Sequence, residues 1–171
     1  MYYGEIKEFD IANGPGVRVS LFVSGCNHHC KGCFQPETWN FWYGQEFTFE
    51  TLRQIDELLY SPHREGLTIL GGEPLDPENI GVVSRITRLR LRHPDKTIWI
   101  YTGYKYEELL QRDDTADILR YTDVIVDGEF IEEQKNLTLE YRGSENQRII
   151  DVQKSGKTIA LWENQYERMK I

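Results

Sequence analysis

The stretch "VRVSLFVSGCNHHCKGCF" (Val17–Phe34) decides how the rest of the chain is read. Its first half alternates. Val19, Leu21 and Val23 fall on one side, and Arg18, Ser20, Phe22 and Ser24 on the other. With its β-branched residues, Val17 to Ser24 therefore reads as a strand. Its second half holds all three cysteines of the chain, Cys26, Cys30 and Cys33, with His28 and His29 between the first two. One disulfide would leave a thiol over, so the spacing suits metal ligation better. Three ligands are one short of the usual four. At CxxxCxxC spacing, three thiolates can reach one iron–sulfur cubane from a single loop and leave the fourth iron without a protein ligand, whereas such clusters are ordinarily held by four cysteines. An open coordination position is what separates catalytic from structural zinc sites, and the same logic applies here. Two blander readings stay open. One is a Cys3His zinc site closed by His28 or His29, which would be cramped around a single ion, or by the distant His63 or His93. The other is a set of unligated thiols. The two histidines read as solvated loop residues rather than ligands.

Outward from this stretch, strands and helices alternate. Thr48 caps a helix from about Phe49 to Tyr60, with Leu52, Ile55, Leu58 and Leu59 as its buried stripe. "GLTILGGEP" gives a short strand, Leu67 to Leu70, ending in two glycines. Asp76 as N-cap and Pro77 at the first helical position open the next helix. Val82, Val83, Ile86 and Leu89 form its apolar face, and Pro94 sets its limit. "TIWIYTG" (Thr97 to Gly103) is a strand. A helical region follows from about Tyr106 to Tyr121, broken near Asp113 and Asp114. "DVIVDG" (Asp123 to Gly128) is a strand again. Repeated βα units imply an α/β fold with a mainly parallel sheet. Such folds bind ligands at the carboxyl ends of the strands. The cysteine loop, "GGEP", "TGY" and "VDG" each lie at such an end, so they are expected on one rim. A complete βα barrel takes about 250 residues. The 171 residues here suit one domain and an incomplete barrel with one side open. Its core is expected at about 10–151, with 152–171 as an extension. In that tail "NQRIIDV" and "TIALW" read as two strands of a C-terminal β-hairpin, turned at Lys154, Ser155, Gly156 and Lys157.

The bulk numbers agree. Hydrophobic residues make up 39% and charged residues 28%, ordinary for a soluble chain that can bury a core without staples. No apolar run reaches the roughly 20 residues of a membrane span. The N-terminal "MYYGEIKEFD" lacks a basic and then apolar leader. A cytoplasmic protein with reduced thiols is the expectation. The net charge of −8 argues against a general nucleic-acid or anionic-membrane surface.

CxxxCxxC directly after a strand, followed by "GGEP" (Gly71 to Pro74) at the next strand end, resembles the radical S-adenosylmethionine (SAM) superfamily. "NGPGVRVSLFVSGC" (Asn13 to Cys26) is similar to its glycyl-radical-activating subgroup. "CFQPETW", "YTGY", "VDGEF" and "RGSENQRIID" resemble the small activators that serve anaerobic ribonucleoside-triphosphate reductase. The likeness runs from about Asp10 to Asp151. It departs at Gln35, where many relatives have Asn.

The resemblance implies a 4Fe-4S cluster on Cys26, Cys30 and Cys33, with SAM chelating the open iron. It implies formation of a 5′-deoxyadenosyl radical and removal of a glycine Cα hydrogen on the partner reductase. An electron donor of flavodoxin type is implied too. Gly32, Cys33 and Phe34 are expected to line the cofactor, Phe34 against the adenine or, in the blander reading, as a core aromatic under the loop. Gly71 and Gly72 are expected to allow close backbone approach to the ligand. Glu73 or nearby carbonyls would accept from the SAM ammonium, and Pro74 would fix the exit. Thr102 and Asp127 are further polar contacts or turn residues. Arg18 faces either the cavity or solvent, and Asn13 to Gly16 is a candidate partner contact. Arg142, Gly143, Ser144, Asn146 and Gln147 have no assigned role beyond a loop that bonds its own backbone. Two other functions remain: a radical SAM enzyme acting on a small molecule, as in deazapurine synthesis, and a zinc-binding module without catalysis.

Overall fold

The computed structural model describes residues 1–156 and 158–164. One sheet of seven strands organises the chain, in the order β3-β1-β2-β4-β5-β6-β7. The strands are β1 (Tyr2–Asp10), β2 (Arg18–Val23), β3 (Gln45–Glu46), β4 (Gly66–Gly71), β5 (Thr97–Tyr101), β6 (Val124–Asp127) and β7 (Arg148–Asp151). The middle four, β2-β4-β5-β6, are parallel. β1 joins β2, β3 joins β1 and β7 joins β6, all antiparallel. The sheet is therefore mixed, parallel only in the middle. β2 is also not the first strand. β1 precedes it, and its charged, irregular sequence "YYGEIKEFD" carries a bulge-like shift in register that blurs the alternation a strand should show.

The helices are α1 (Phe49–Leu59), α2 (Ile80–Thr87), α3 (Tyr106–Leu109) and α4 (Ala116–Tyr121). Thr48 caps α1 as expected: its hydroxyl accepts from the Thr51 amide at 3.3 Å, and Thr51 returns the bond to the Thr48 amide at 3.2 Å. α2 begins later than expected, at Ile80 with Asn79 in the cap position. The Asp76 carboxylate accepts from the Glu78 amide and from the Asn27 side chain, so Asp76 makes a turn that faces the cysteine loop instead of capping the helix. The expected hairpin survives in reduced form. Asp151 donates to Ala160 and Trp162 to Ile149, but the second segment contributes only the Ile150–Leu161 bridge. Lys157 of the expected turn lies outside the described residues.

Alternation along the strands sends two sets of side chains to two faces. Val19, Leu21, Leu67, Ile69, Ile98, Ile100 and Ile125 share a core with Ile55 and Leu59 of α1, Val83 and Ile86 of α2, and Ile118 and Leu119 of α4. Among the described residues the other face has no helix layer. Trp99, Val124 and Val126 pack there against Tyr101, Tyr141, Ile149 and Trp162. Arg18 belongs to this face and points neither outward nor into the open cavity. It is fully buried. Its guanidinium donates to Thr68 Oγ1 at 2.7 Å, Thr97 Oγ1 at 2.9 Å and the Leu67 and Thr97 carbonyls at 2.9 Å. One cation thus ties β2, β4 and β5 together at their amino ends, and the opposite, carboxyl ends are left for a ligand. Among the described residues no helix is long and apolar enough to cross a membrane.

Candidate functional site

The carboxyl ends of β2, β4, β5 and β6 surround a cavity of about 620 Å³, within the 300–1,000 Å³ typical of small-molecule sites. Its floor is Phe22, Leu70 and Tyr101, the last outward residues of their strands on the helix-free face. Cys26, Cys30 and Cys33 line one wall. Cys26 is buried and the other two are half-buried. Burial pushes the Cys26 thiol up to about 11 and raises Cys30 as well. Iron binding must therefore displace protons, as with any ligand that binds as thiolate. The Gln35 amide lies 3.5 Å from Cys33 Sγ, and hydrogen bonds to sulfur are one of the controls on cluster potential.

The cysteine loop is locked to the "GGEP" turn by backbone bonds. Gly72 donates to Val23 at 2.8 Å and Glu73 to Gly25 at 2.7 Å. This contact dictates the two glycines. Gly71 has φ +108°, and a Cβ there would lie 2.7 Å from the Val23 carbonyl oxygen. A Cβ on Gly72 would lie 2.6 Å from that of Gly25. The close approach is thus first to the neighbouring strand's backbone, and through it to whatever the loop holds.

Gly71, Gly72, Glu73 and Thr102 line the cavity with the cysteines and Phe34. Gly32, Pro74 and Asp127 are not in its lining. Glu73 is almost wholly buried and its carboxylate is fully used. Oε1 accepts from the Leu75 amide and Thr102 Oγ1, both at 2.8 Å. Oε2 takes the Gly103 amide at 2.7 Å and meets His28 Nε2 at 3.0 Å. Asp127 is likewise engaged, by the Tyr106 amide and by Arg148. Phe34 is 57% exposed, so it is not a core aromatic under the loop. It meets the Phe130 ring at a tilt, centroids 4.9 Å apart, and lies beneath the Lys135 ammonium. Ala12 and Asn13 of the "NGPG" region also reach the cavity.

The "RGSENQ" block closes the far wall. Gln147 Oε1 accepts from the Gly143 and Ser144 amides, and its Nε2 donates to the Gly128 carbonyl. Asn146 donates to the Glu129 carbonyl and Ser144 accepts from Ile131. The block does bond its own backbone. It also holds residues 128–131 beside the cysteines.

His28 overturns its reading as a solvated loop residue. Its ring lies between two carboxylates, 3.0 Å from Glu73 and 2.8 Å from Glu129, and meets Tyr104 edge-on at 4.7 Å. The hydrogen bond to Glu73, foremost, raises its pKa to about 9. Both ring nitrogens are occupied, so His28 has no free atom for a Cys3His zinc site. Among the described residues no three His, Cys, Asp or Glu side chains converge as a site for one metal ion. His29 instead rests against Trp39. Glu129, Phe130, Tyr101 and Tyr104 escaped sequence reading, because nothing in "VDGEF" or "YTGY" reveals which side chains turn toward the cysteines.

Three thiols on one wall, apolar surface from Phe22, Leu70 and Phe34, and the polar backbone of the glycine turn fit a cubane with a small cofactor beside it. A family model described as a 4Fe-4S single cluster domain matches residues 12–150. The protein is accordingly of the single-cluster iron–sulfur class. Among relatives, the anaerobic ribonucleoside-triphosphate reductase-activating proteins of Enterobacteria phage T4 and Vibrio cholerae are both 43% identical over 152 residues, covering 87% of this chain and 93% and 97% of theirs. That of Escherichia coli K12 is 40% identical with 87% and 97% covered. The chain belongs to the family of anaerobic ribonucleoside-triphosphate reductase-activating proteins.

Proposed function

We propose that this protein activates an anaerobic ribonucleoside-triphosphate reductase by radical SAM chemistry, with a 4Fe-4S cluster on Cys26, Cys30 and Cys33. The observation that carries the reading is that all three cysteines and Gly71, Gly72 and Glu73 of the "GGEP" turn line one 620 Å³ cavity. Held by Cys26, Cys30 and Cys33, a reduced cluster with SAM would supply the one-electron radical chemistry needed to remove a Cα hydrogen from a glycine of the reductase.

The chain's own residues supply position and shelter. The Cys26–Cys33 loop would hold the cluster with three thiolates, one fewer than the usual four. With the Glu73 carboxylate committed to Leu75, Thr102, Gly103 and His28, backbone carbonyls of the glycine turn are the better acceptors for the SAM ammonium. Phe34, on the rim beside Phe130, offers a face for the adenine. Among the described residues no helix layer covers this face of the sheet, in keeping with an incomplete barrel, and this gives a peptide loop a path to the cavity. Ala12, Asn13 and Leu137 border that path. A flavodoxin-type protein is the proposed electron donor.

The test is direct. The reconstituted protein, SAM, a reductant and the cognate anaerobic reductase are mixed without oxygen and followed by electron paramagnetic resonance. A glycyl radical signal on the reductase is expected. A loaded, SAM-cleaving protein that leaves the reductase silent would shift the reading to a small-molecule substrate.

A further inference from the structure

Asn27, His28 and His29 separate the first two cysteines, and their side chains go to three different places. Asn27 bonds Asp76 at 2.8 Å. His29, at φ +51°, lies on Trp39 within the loop's own neighbourhood. His28 crosses the rim. It starts on the loop after β2, contacts Glu73 after β4 at 3.0 Å, passes over Gly103 after β5, and ends on Glu129 after β6 at 2.8 Å. The fit over Gly103 is close: a Cβ on that glycine would lie 2.6 Å from the imidazole. One ring thus touches the ends of all four parallel strands.

We propose that His28 is the positioning residue of the cluster loop, a strut that sets where Cys26 and Cys30 stand relative to the "GGEP" turn. Three observations support this. Glu73 is itself fixed by Leu75, Thr102 and Gly103, so it is a rigid anchor. The loop's other side-chain ties are of a different kind: Asn27 bonds Asp76 on a single neighbouring turn, Phe34 meets Phe130 on the exposed rim, and Lys31 pairs with Glu132 and Glu133 in solvent, where an ion pair is worth little. The His28 ring, in contrast, is 14% exposed and lies between two carboxylates at 3.0 and 2.8 Å, so that both of its nitrogens are held. A loop that must hold three thiolates around a large cofactor needs such outside support, just as metal ligands need the partners that orient them.

The inference rests on reading the three cysteines as cluster ligands, and the test separates the two. Wild type, His28→Ala and Glu129→Gln are reconstituted anaerobically with iron and sulfide. Thermal unfolding of each protein before loading is measured alongside. Iron loss to a chelator is then timed, and the change in the reduced-cluster paramagnetic resonance spectrum on adding SAM is recorded. His28→Ala should lose iron roughly tenfold faster and show a weakened or altered SAM response, with unloaded stability near wild type. Glu129→Gln keeps the Glu73 contact and should fall between. His28→Gln, which can still donate to Glu73, should recover part of the loss. Variants that hold iron and respond to SAM as wild type does would overturn the strut, and so would a fall in unloaded stability that accounts for all of the iron loss. Should His28→Ala fail to fold, Glu129→Gln alone decides between these outcomes. If wild type itself takes up no cluster, the fault lies with the cysteine assignment instead.

Discussion

On one face of the sheet, Leu67, Ile69, Ile98 and Ile100 meet α1, α2 and α4 in a continuous apolar core. On the other, Arg18, Thr68 and Thr97 form a hydrogen-bonded base, and Phe22, Leu70 and Tyr101 open onto a cavity. The same four strands build both faces, one residue out of step. The difference teaches a division of labour. The helix-covered face carries stability through area removed from water. The helix-free face holds a polar network at one end so that the other end can stay hollow, and the cysteines, "GGEP" and Thr102 collect at the hollow end.

That division can be broken deliberately. The largest effect is expected from a pair of variants that separate the two roles. Cys33→Ala should leave the protein folded, because Cys33 lies on a loop outside the apolar core, and should abolish a stable cluster as measured by iron and sulfide content. Ile69→Ala should do the reverse in kind. It removes a fully buried side chain from the core face and should cost about 2–5 kcal/mol in denaturant unfolding. Arg18→Leu probes the other face. It removes the four hydrogen bonds of a buried cation and should cost about 1–3 kcal/mol in denaturant unfolding. A measured loss of that size, from a residue far from the cysteines, would show that the base of the cavity is held by polar bonds rather than by packing.

The smallest effect belongs to the rim. Glu107 pairs with Arg148, which holds its carboxyl down to about 2 from 4.5. A carboxylate whose folded pKa is depressed adds stability above its unfolded value and loses it as the pH falls through the folded one. Glu107 is more than half exposed, so solvent screening keeps the contribution under about 1 kcal/mol. Near neutral pH, Glu107→Gln should therefore unfold at slightly lower denaturant than wild type. The two should converge as the pH drops from about 4.5 toward about 2.

The two faces were not equally legible. Apolar side chains at period 2 in "VRVSLFV" and "TIWIY", and at helical spacing in α1, announce the core face directly, because burial leaves a periodic mark. The βα alternation then put the carboxyl ends of the strands on one rim, and with them the meeting of the cysteines with "GGEP". The remainder depended on side-chain direction, which carries no periodic mark. Arg18 sat on a readable strand, yet its partners Thr68 and Thr97 lie 50 and 79 residues away. His28 looked like filler because Glu73 and Glu129 are 45 and 101 residues distant. β1 was hidden for a different reason: as a bulged, charged flanking strand it has no alternation to read. Gly71 and Gly72 were visible as glycines, but the backbone they clear is that of β2 and the cysteine loop.

The central claim is that the cysteine wall of the cavity holds a cluster with one iron open to SAM. Anaerobic reconstitution with iron and sulfide, followed by paramagnetic resonance of the reduced protein with and without SAM, tests it most directly. The account expects about four irons per chain and a 4Fe-4S spectrum that changes when SAM is added. Stoichiometric zinc uptake by the three thiols, or a cluster whose spectrum ignores SAM, would contradict it.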